Sequence, residues 1–177
     1  VPIGAMSANN IDKTLPVLAE AVKRILEQHK TDKGMIHAGN YRIANYLVKN
    51  IKNKRLLIHD SENRDEVLKK HMSDKNPTVL VSPSMTEGVD LADDASRFQI
   101  ICKTAFQYFG SQLIRKRMHR WKWWYPMQVA KTVIQALGRS VRSDTDYAVS
   151  YILDSDWEHF YKKHSELFSE DFKKCLK

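Results

Sequence analysis

Short apolar runs separated by helical segments are the feature that most constrains the fold of this chain. Near-continuous apolar runs are typical of strands whose two faces are both covered. Strands that alternate with helical segments of roughly 10–15 residues indicate right-handed βαβ crossovers and a mainly parallel sheet. The sequence therefore predicts a single α/β domain with a helix-flanked sheet. The predicted strands are 34–38, 55–59, 78–82, 98–102 and 147–153.

Apolar spacing with a helical period predicts the helices that connect these strands. We expect Thr14 to cap the first helix, with Pro16 in its first turn, and Asn40 to cap the second. Asn63 and Glu66 form a variant capping box at the start of the third. The predicted helices cover 15–29, 41–50, 64–71, 112–120, 126–140 and 156–167.

Composition indicates an intracellular protein with a polyanionic partner. The 177 residues include 29 Lys and Arg against 21 Asp and Glu, a net charge of +8. An excess of this size favours association with polyanions but says little about fold. The two cysteines, Cys102 and Cys175, are too few for a disulfide framework or an iron–sulfur ligand set. No apolar run is long enough to span a membrane, and residues 1–6, interpreted as a cloning remnant, do not form a signal peptide.

Polar residues collect directly after the third predicted strand. In a parallel sheet, ligands bind beyond the carboxyl ends of the strands. The segment 82–91 offers small hydroxyls, a Pro–Gly pair that shapes the loop, and carboxylates at Glu87 and Asp90. Hydroxyls and backbone amides suit phosphate or sugar oxygens, and an Asp suits a ribose hydroxyl. The alternative is a surface turn with solvated acids.

A second polar segment lies near the end of the predicted helix 126–140. If the helix continues through it, Gln135, Arg139 and Arg142 lie at i, i+4 and i+7 on one face. Two guanidiniums this close favour an anion between them, and phosphate matches their planar donors. Gly138 indicates that something approaches the backbone there. The alternative is a solvated basic helix face.

Taken together, these two segments resemble motifs V and VI of superfamily 2 helicases. The spelling Glu-Gly-Val-Asp-Leu at 87–91, followed by Gly-Arg-Ser-Val-Arg-Ser at 138–143, is most similar to the XPD/DinG group of DNA helicases. Segments 100–106, 113–118 and 147–154 also resemble that group, although Gln107-Tyr108-Phe109-Gly110 replaces its usual prolines. Motif IV would lie near 34–41, motif V at 84–91 and motif VI at 135–142.

The resemblance implies a fold and a place in a larger protein. Residues 7–177 would form the second RecA-like domain, a three-layer sandwich of the P-loop NTPase type. In this family the first RecA-like domain carries the phosphate loop and the magnesium site, and ATP lies between the two domains. Neither pattern occurs in this chain, so we expect the chain by itself to hydrolyse no ATP. The Mg²⁺ ligands, and any iron–sulfur cluster ligands, would lie outside this chain.

The resemblance also implies roles for individual residues. Arg142 would be the arginine finger, Arg139 a second contact to the γ-phosphate, and Gln135 a residue that places the phosphate or the attacking water. Four residues would lie along the nucleotide cleft, with Asp90 nearest the ribose: Glu87, Gly88, Asp90 and Gly138.

Contacts to DNA are expected on the loops that follow the first, third and fourth strands. The candidates are His37, Asn40, Tyr41, Ser84, Thr86, Lys103 and Thr104. His37 is equally compatible with a hydrogen-bonded core histidine. Segment 115–125 interleaves cations with aromatic residues, a mix that suits unpaired bases and phosphates. Arg115 and Arg117 are candidates there, whereas Trp123 and Trp124 are better explained by packing against the core or the missing domain.

The sequence therefore predicts the second motor domain of an ATP-dependent DNA helicase. The expected partners are single-stranded DNA and the first RecA-like domain, and the protein is expected to be monomeric. The resemblance implies 5′ to 3′ movement, and a location in the cytoplasm of a bacterial or viral system or in a eukaryotic nucleus. One alternative is a non-catalytic nucleic-acid or protein-binding module on the same fold. The other is a helicase that acts on RNA.

Overall fold

The computed structural model describes residues 2–60, 62–84, 91–141, 143 and 145–176. Its strands are β1 Gly34–His37, β2 Leu56–Ile58, β3 Val79–Ser82, β4 Phe98–Ile101 and β5 Val149–Ile152. They form one sheet in the order β2-β3-β1-β4-β5, and every neighbouring pair is parallel. Each strand lies inside a predicted apolar run, which confirms the parallel α/β prediction.

Seven α-helices connect or follow these strands in the described part of the chain. They are α1 Ile11–Gln28, α2 Tyr41–Ile51, α3 Arg64–Ser73, α4 Gln112–Arg120, α5 Trp124–Leu137, α6 Ser155–Lys163 and α7 Glu170–Cys175. Short 3₁₀ turns occupy Asp93–Ala95 and Ser165–Leu167. Among the described helices, none has both the length and the apolar character needed to cross a membrane.

The sheet is covered on both faces, which gives a three-layer sandwich. Alternate strand residues point to opposite faces. Ile36, Val81 and Ile100 pack with α1 and α2 in one buried cluster. On the other face, Met35 and Leu80 pack with α3, and Ile101 packs with α5 and α6. This second face also carries the chain segments that form the candidate site.

The first helix begins earlier than the sequence predicts, and Thr14 does not cap it. Asn10 occupies the N-cap position, and Ile11 extends the buried face of Leu15 by one turn. Thr14 lies inside the helix, where its hydroxyl donates to the carbonyl oxygens of Ala5 at 3.0 Å and Asn10 at 3.1 Å. Burial of Ile11 therefore moves the start of the helix, and Pro16 lies beyond its first turn.

Asparagine side chains precede both α2 and α3, but only one of them caps its helix. The Asn40 side chain accepts from the backbone N–H of Ile43 at 2.9 Å, as predicted. Asn63 makes no capping bond to α3 and instead accepts from the backbone N–H of Asp60 at 2.9 Å. The predicted capping box of Asn63 and Glu66 is wrong because the preceding turn uses the Asn63 oxygen.

Residues 3–6 belong to the fold, contrary to our exclusion of residues 1–6 from the folded domain. The backbone N–H of Ile3 donates to the carbonyl of Leu153 at 2.9 Å, and Gly4 forms a parallel bridge with Asp154. Met6 is fully buried in the cluster beneath α1. The segment therefore continues the hydrogen bonding of the sheet past the end of β5.

Candidate functional site

Helix α5 ends at Leu137, before the arginines of the second polar segment. Gly138 occupies the C-cap position, and the N–H of Arg139 donates to the carbonyl of Ala136 at 3.2 Å. Gln135 is exposed in the last turn, whereas Arg139 lies in the turn beyond it. The prediction that Gln135 and Arg139 share one helical face is therefore wrong. Arg142 itself lies outside the described residues.

Two residues of the segment before β4, Leu91 and Ser96, bond to the residues just after α5. The N–H of Leu91 donates to the carbonyl of Arg139 at 3.3 Å. The hydroxyl of Ser140 donates to that of Ser96 at 2.7 Å, and both serines are fully buried. Because Leu91 is the last residue of the polar segment 82–91, these bonds bring the end of that segment to the second polar segment.

The buried carboxylate of Asp146, on the C-terminal side of Arg139, bonds to the same segment before β4. Asp146 accepts from the backbone N–H of Asp93 at 3.2 Å and from the Arg97 guanidinium at 2.9 Å. Arg97 also donates to the carbonyl of Tyr147 at 3.2 Å and lies over its ring at 4.5 Å from the ring centre. Segment 91–97 therefore bonds both to Arg139 and Ser140, just after α5, and to Asp146, shortly before β5.

Gln99 is a functional candidate that the sequence analysis missed. It is fully buried on β4, and its amide donates to the carbonyl of Leu137 at 2.8 Å and to Ser150 Oγ at 3.0 Å. Its Oε1 lies 3.2 Å from His37 Nε2. The signal in the sequence was a single amide side chain within an otherwise apolar strand, which needs buried partners.

His37 lies in the core at the end of β1 and is fully buried. Burial, helped by the charge of Arg139 and opposed by the hydrogen bond with Gln99, lowers its pKa from 6.5 to about 4. The imidazole is therefore neutral at pH 7. Of the two alternatives for His37, this geometry favours the core histidine over a DNA contact at the surface.

The turn after β1 and the loop after β4 are in close contact at the carboxyl edge of the sheet. Gly39 has a positive φ of 83°, and a Cβ placed on it would lie 3.1 Å from Lys103 Cβ. Asn40 is half-buried and caps α2, whereas Tyr41 is 48% exposed. Asn40, Tyr41 and Lys103 thus share one edge, and their contacts to DNA stay predictions.

Asp154 anchors the loop after β4 and was not predicted from the sequence. Its carboxylate accepts from the backbone N–H groups of Thr104 at 2.8 Å, Asp156 at 3.1 Å and Met6 at 3.2 Å. Burial raises the pKa of this carboxyl group against those hydrogen bonds. Thr104 is fully buried, and its N–H donates to Asp154. Of the two candidates on this loop, Lys103 is therefore the better placed to contact DNA.

The remaining candidates on the loop after β3 lie largely outside the described residues. Ser84 is half-buried, and its carbonyl accepts from the hydroxyl of Ser82 at 2.6 Å. Thr86, Glu87, Gly88 and Asp90 fall in the part of the chain that the structure does not describe. Their roles stay predictions.

Helix α4 and the start of α5 present cations and aromatic rings together. Arg115 and Arg117 are exposed, and the Arg117 guanidinium lies 5.3 Å from the ring centre of Trp124. Trp124 packs against the cluster of α5 and α6, as the packing alternative predicts, whereas Trp123 is 61% exposed.

The loop that departs from the family's prolines folds back onto α5. The ring of Phe109 stacks on that of Tyr125 with centres 4.9 Å apart, and the Tyr125 hydroxyl donates to the carbonyl of Gln107 at 3.3 Å. Phe106 meets Phe160 edge to face at 6.0 Å. Aromatic contacts therefore hold this loop without proline.

Charged side chains do not converge as a metal site in the described part of the chain. No group of three or more His, Cys, Asp or Glu side chains there is arranged to hold a metal ion.

Comparisons with known proteins agree on one type of domain. A family model described as helicase C-terminal domain matches residues 22–175. The S. tokodaii Xpd4 structure is 17% identical with a TM-score of 0.69, over 96% of this chain and 36% of that one. An apo XPD structure is also 17% identical with a TM-score of 0.70, over 87% of this chain and 35% of that one.

A more distant match is domain 2 of the DEAD-box helicase Mss116p bound to an RNA duplex. It is 15% identical with a TM-score of 0.56, over 93% of this chain and 57% of that one. At these identities the structural matches establish the RecA-like fold. The chain spans about a third of the length of the two XPD chains. No curated protein sequence matches it.

Proposed function

Since this chain belongs to the helicase C-terminal domain family, we propose that it is the second motor domain of an ATP-dependent DNA helicase of the XPD/DinG type. The first RecA-like domain would supply the phosphate loop and the Mg²⁺ ligands. In the closed state, Arg142 would act as the arginine finger, Arg139 would contact the γ-phosphate, and Gln135 would orient the phosphate or the attacking water. Closing and reopening of the two domains would drive movement along DNA.

The observation that carries this proposal is the hydrogen bond from Leu91 to Arg139. It joins the last residue of motif V to the backbone of motif VI. Phosphoryl transfer depends mainly on positioning and on stabilising charge in the transition state. An arginine whose backbone is held by Leu91, and whose neighbour Ser140 is held by Ser96, suits that task. The cleft with ATP would form when the first domain closes over this turn.

Charge distribution supports a nucleic-acid partner. Ten of the chain's 29 Lys and Arg lie in residues 95–143, with none of its 21 Asp and Glu, which leaves 19 basic against 21 acidic residues elsewhere. We call residues 95–143 the acid-free segment. It includes Lys103 at the carboxyl edge of the sheet and Arg115 and Arg117 on α4. We propose that these side chains contact the phosphates of single-stranded DNA, with 5′ to 3′ movement.

The decisive experiment uses the full-length protein with Arg142→Ala. Hydrolysis of ATP stimulated by single-stranded DNA should fall by roughly 10³-fold or more, because a finger arginine contributes about 10³–10⁵ to turnover. The affinity for single-stranded DNA should change by less than about twofold, since one phosphate contact at most is lost. Lys162→Ala is the control, because Lys162 is an exposed α6 side chain paired with Glu158.

The other outcomes separate the alternatives. Undiminished hydrolysis in Arg142→Ala would contradict the arginine-finger role. It would favour the alternative in which this domain is a non-catalytic binding module of the full-length protein. Stronger stimulation by single-stranded RNA than by DNA of the same sequence would favour a helicase that acts on RNA. The chain by itself should show no measurable hydrolysis, and robust turnover by the purified chain would contradict the assignment of the phosphate loop to another domain.

A further inference from the structure

Gln99 places a buried amide on the second face of the sheet, next to the buried His37. Gln99 is fully buried, and its neighbours along β4, Phe98 and Ile100, are apolar. A buried amide is costly unless its donors and acceptor are all satisfied. Gln99 satisfies them completely, with two N–H donations and one accepted bond. Its place in an apolar strand therefore serves those three partners.

The three partners of Gln99 belong to three different elements. Leu137 is the last residue of α5, Ser150 lies on β5, and His37 ends β1. The last four carbonyls of a helix have no partner within the helix. Gln99 satisfies the carbonyl of Leu137, and so ties the end of α5 to the sheet two residues before Arg139.

Gln99 also bonds to His37, a ring whose pKa the charge of Arg139 affects. Gln99 Oε1 can only accept, so His37 Nε2 must carry the proton in their bond. His37 in turn lies within the electrostatic reach of Arg139. Gln99 thus bonds to the carbonyl of Leu137, two residues before Arg139, and to the neutral His37 ring within the electrostatic reach of the Arg139 charge.

We propose that Gln99 is a positioning residue that sets the direction of Arg139 toward the γ-phosphate. This inference rests on the proposed function, since it requires Arg139 to act on ATP. Gln99 acts through the Leu137 carbonyl and through His37, and it touches neither ATP nor DNA. Without it, the turn after α5 would keep its bonds to Leu91 and Ser96 but lose its anchor to the sheet.

The test compares two replacements of Gln99 in the full-length protein. Gln99→Leu has a similar size and no hydrogen bonds. Gln99→Glu can still accept from His37 and Ser150 but has no N–H for the Leu137 carbonyl. Both should lower kcat for DNA-stimulated ATP hydrolysis by about tenfold and change KM for ATP by less than about twofold, as expected when a transition-state contact is misplaced.

Tyr151→Phe is the matched control. Tyr151 lies on the neighbouring strand β5, and its hydroxyl bonds to His29 Nε2 at 3.0 Å on the opposite face of the sheet. Loss of this hydroxyl removes a partly buried hydrogen bond without touching α5, so kcat should stay within about twofold of the native value.

Thermal unfolding of all variants reports the structural cost separately. If Gln99→Leu fails to fold, the result is decided by Gln99→Glu and by Ser150→Ala, which should retain most of the activity.

A double-mutant cycle with Arg139→Lys decides whether Gln99 works through Arg139. If it does, adding Gln99→Glu to Arg139→Lys should lower kcat much less than it does in the native background. Additive effects of the two changes would overturn the positioning role. If Arg139→Lys alone leaves kcat unchanged, the proposed role of Arg139 in hydrolysis fails instead.

Discussion

His37 and Gln99 meet where β1 and β4 pair beneath the end of α5. Both side chains are fully buried: His37 bonds to Gln99, and Gln99 also bonds to Leu137 of α5 and Ser150 of β5. At the scale of the residue, the site is therefore built on a neutral polar core, with the charged arginine next to it. A neutral imidazole can lie beside a guanidinium, whereas an imidazolium would repel it.

This arrangement predicts acid sensitivity. Burial lowers the pKa of His37 from 6.5 to about 4, and burial also lowers that of His71. The unfolded chain then binds more protons than the folded one below about pH 6.5, so the free energy of unfolding should decrease as the pH falls toward 4. Chemical denaturation across this range measures the slope. The raised pKa of Asp154 acts in the opposite direction, because the folded chain takes up that proton more readily.

A variant assigns the slope to a residue. His37→Gln cannot titrate, so the decrease in unfolding free energy with falling pH should be shallower than in the native chain. His159→Gln, which removes an exposed histidine of α6, is the control and should keep the native slope. An equally steep slope in His37→Gln would contradict the buried, neutral state of His37.

At the scale of the element, Asn40 has two assigned tasks that one substitution separates. It caps α2 through the N–H of Ile43, and it is a predicted DNA contact. Asn40→Ala should reduce the free energy of unfolding by about 1 kcal/mol, because the cap is lost. Asn40→Asp should keep the cap and the stability but weaken binding to single-stranded DNA, because a carboxylate repels phosphates. Denaturation and DNA titration measure the two effects, and undiminished DNA binding by Asn40→Asp would contradict the contact.

Across the whole molecule, charge is divided between the acid-free segment and the rest of the chain. If Arg115 and Arg117 each contact one phosphate, changing both to Gln should weaken binding to single-stranded DNA. The slope of log affinity against log salt should also become shallower by about 1.4, or about 0.7 for each contact. Titrations at several salt concentrations measure this slope. Lys23→Gln, on α1 and outside the segment, should leave it unchanged, and a native slope in the double variant would exclude these contacts.

Local patterns were sufficient to predict the layers and the order of the elements. The strand prediction at 98–102 and the helix prediction at 112–120 rest on apolar spacing, which the structure reproduces at β4 and α4. The Asn40 cap was equally predictable, because a side chain and an N–H three residues apart decide it. The spelling of motifs V and VI was specific enough to indicate the family.

The tertiary structure alone decided how the site is assembled. Helical periodicity predicted that the helix of α5 continues to Ser140, but it ends at Leu137. The Leu137 carbonyl accepts from Gln99, which lies on β4, far away in the sequence. The amide of Gln99 in an apolar strand indicated that it has buried partners, but nothing in the nearby sequence identified Leu137 as one of them or indicated the bond from Leu91 to Arg139. The sequence thus determined the fold class, the elements and the family of this chain, because those depend on local spacing and motif spelling. Only packing could decide what holds Arg139, because its supports come from residues far apart in the chain.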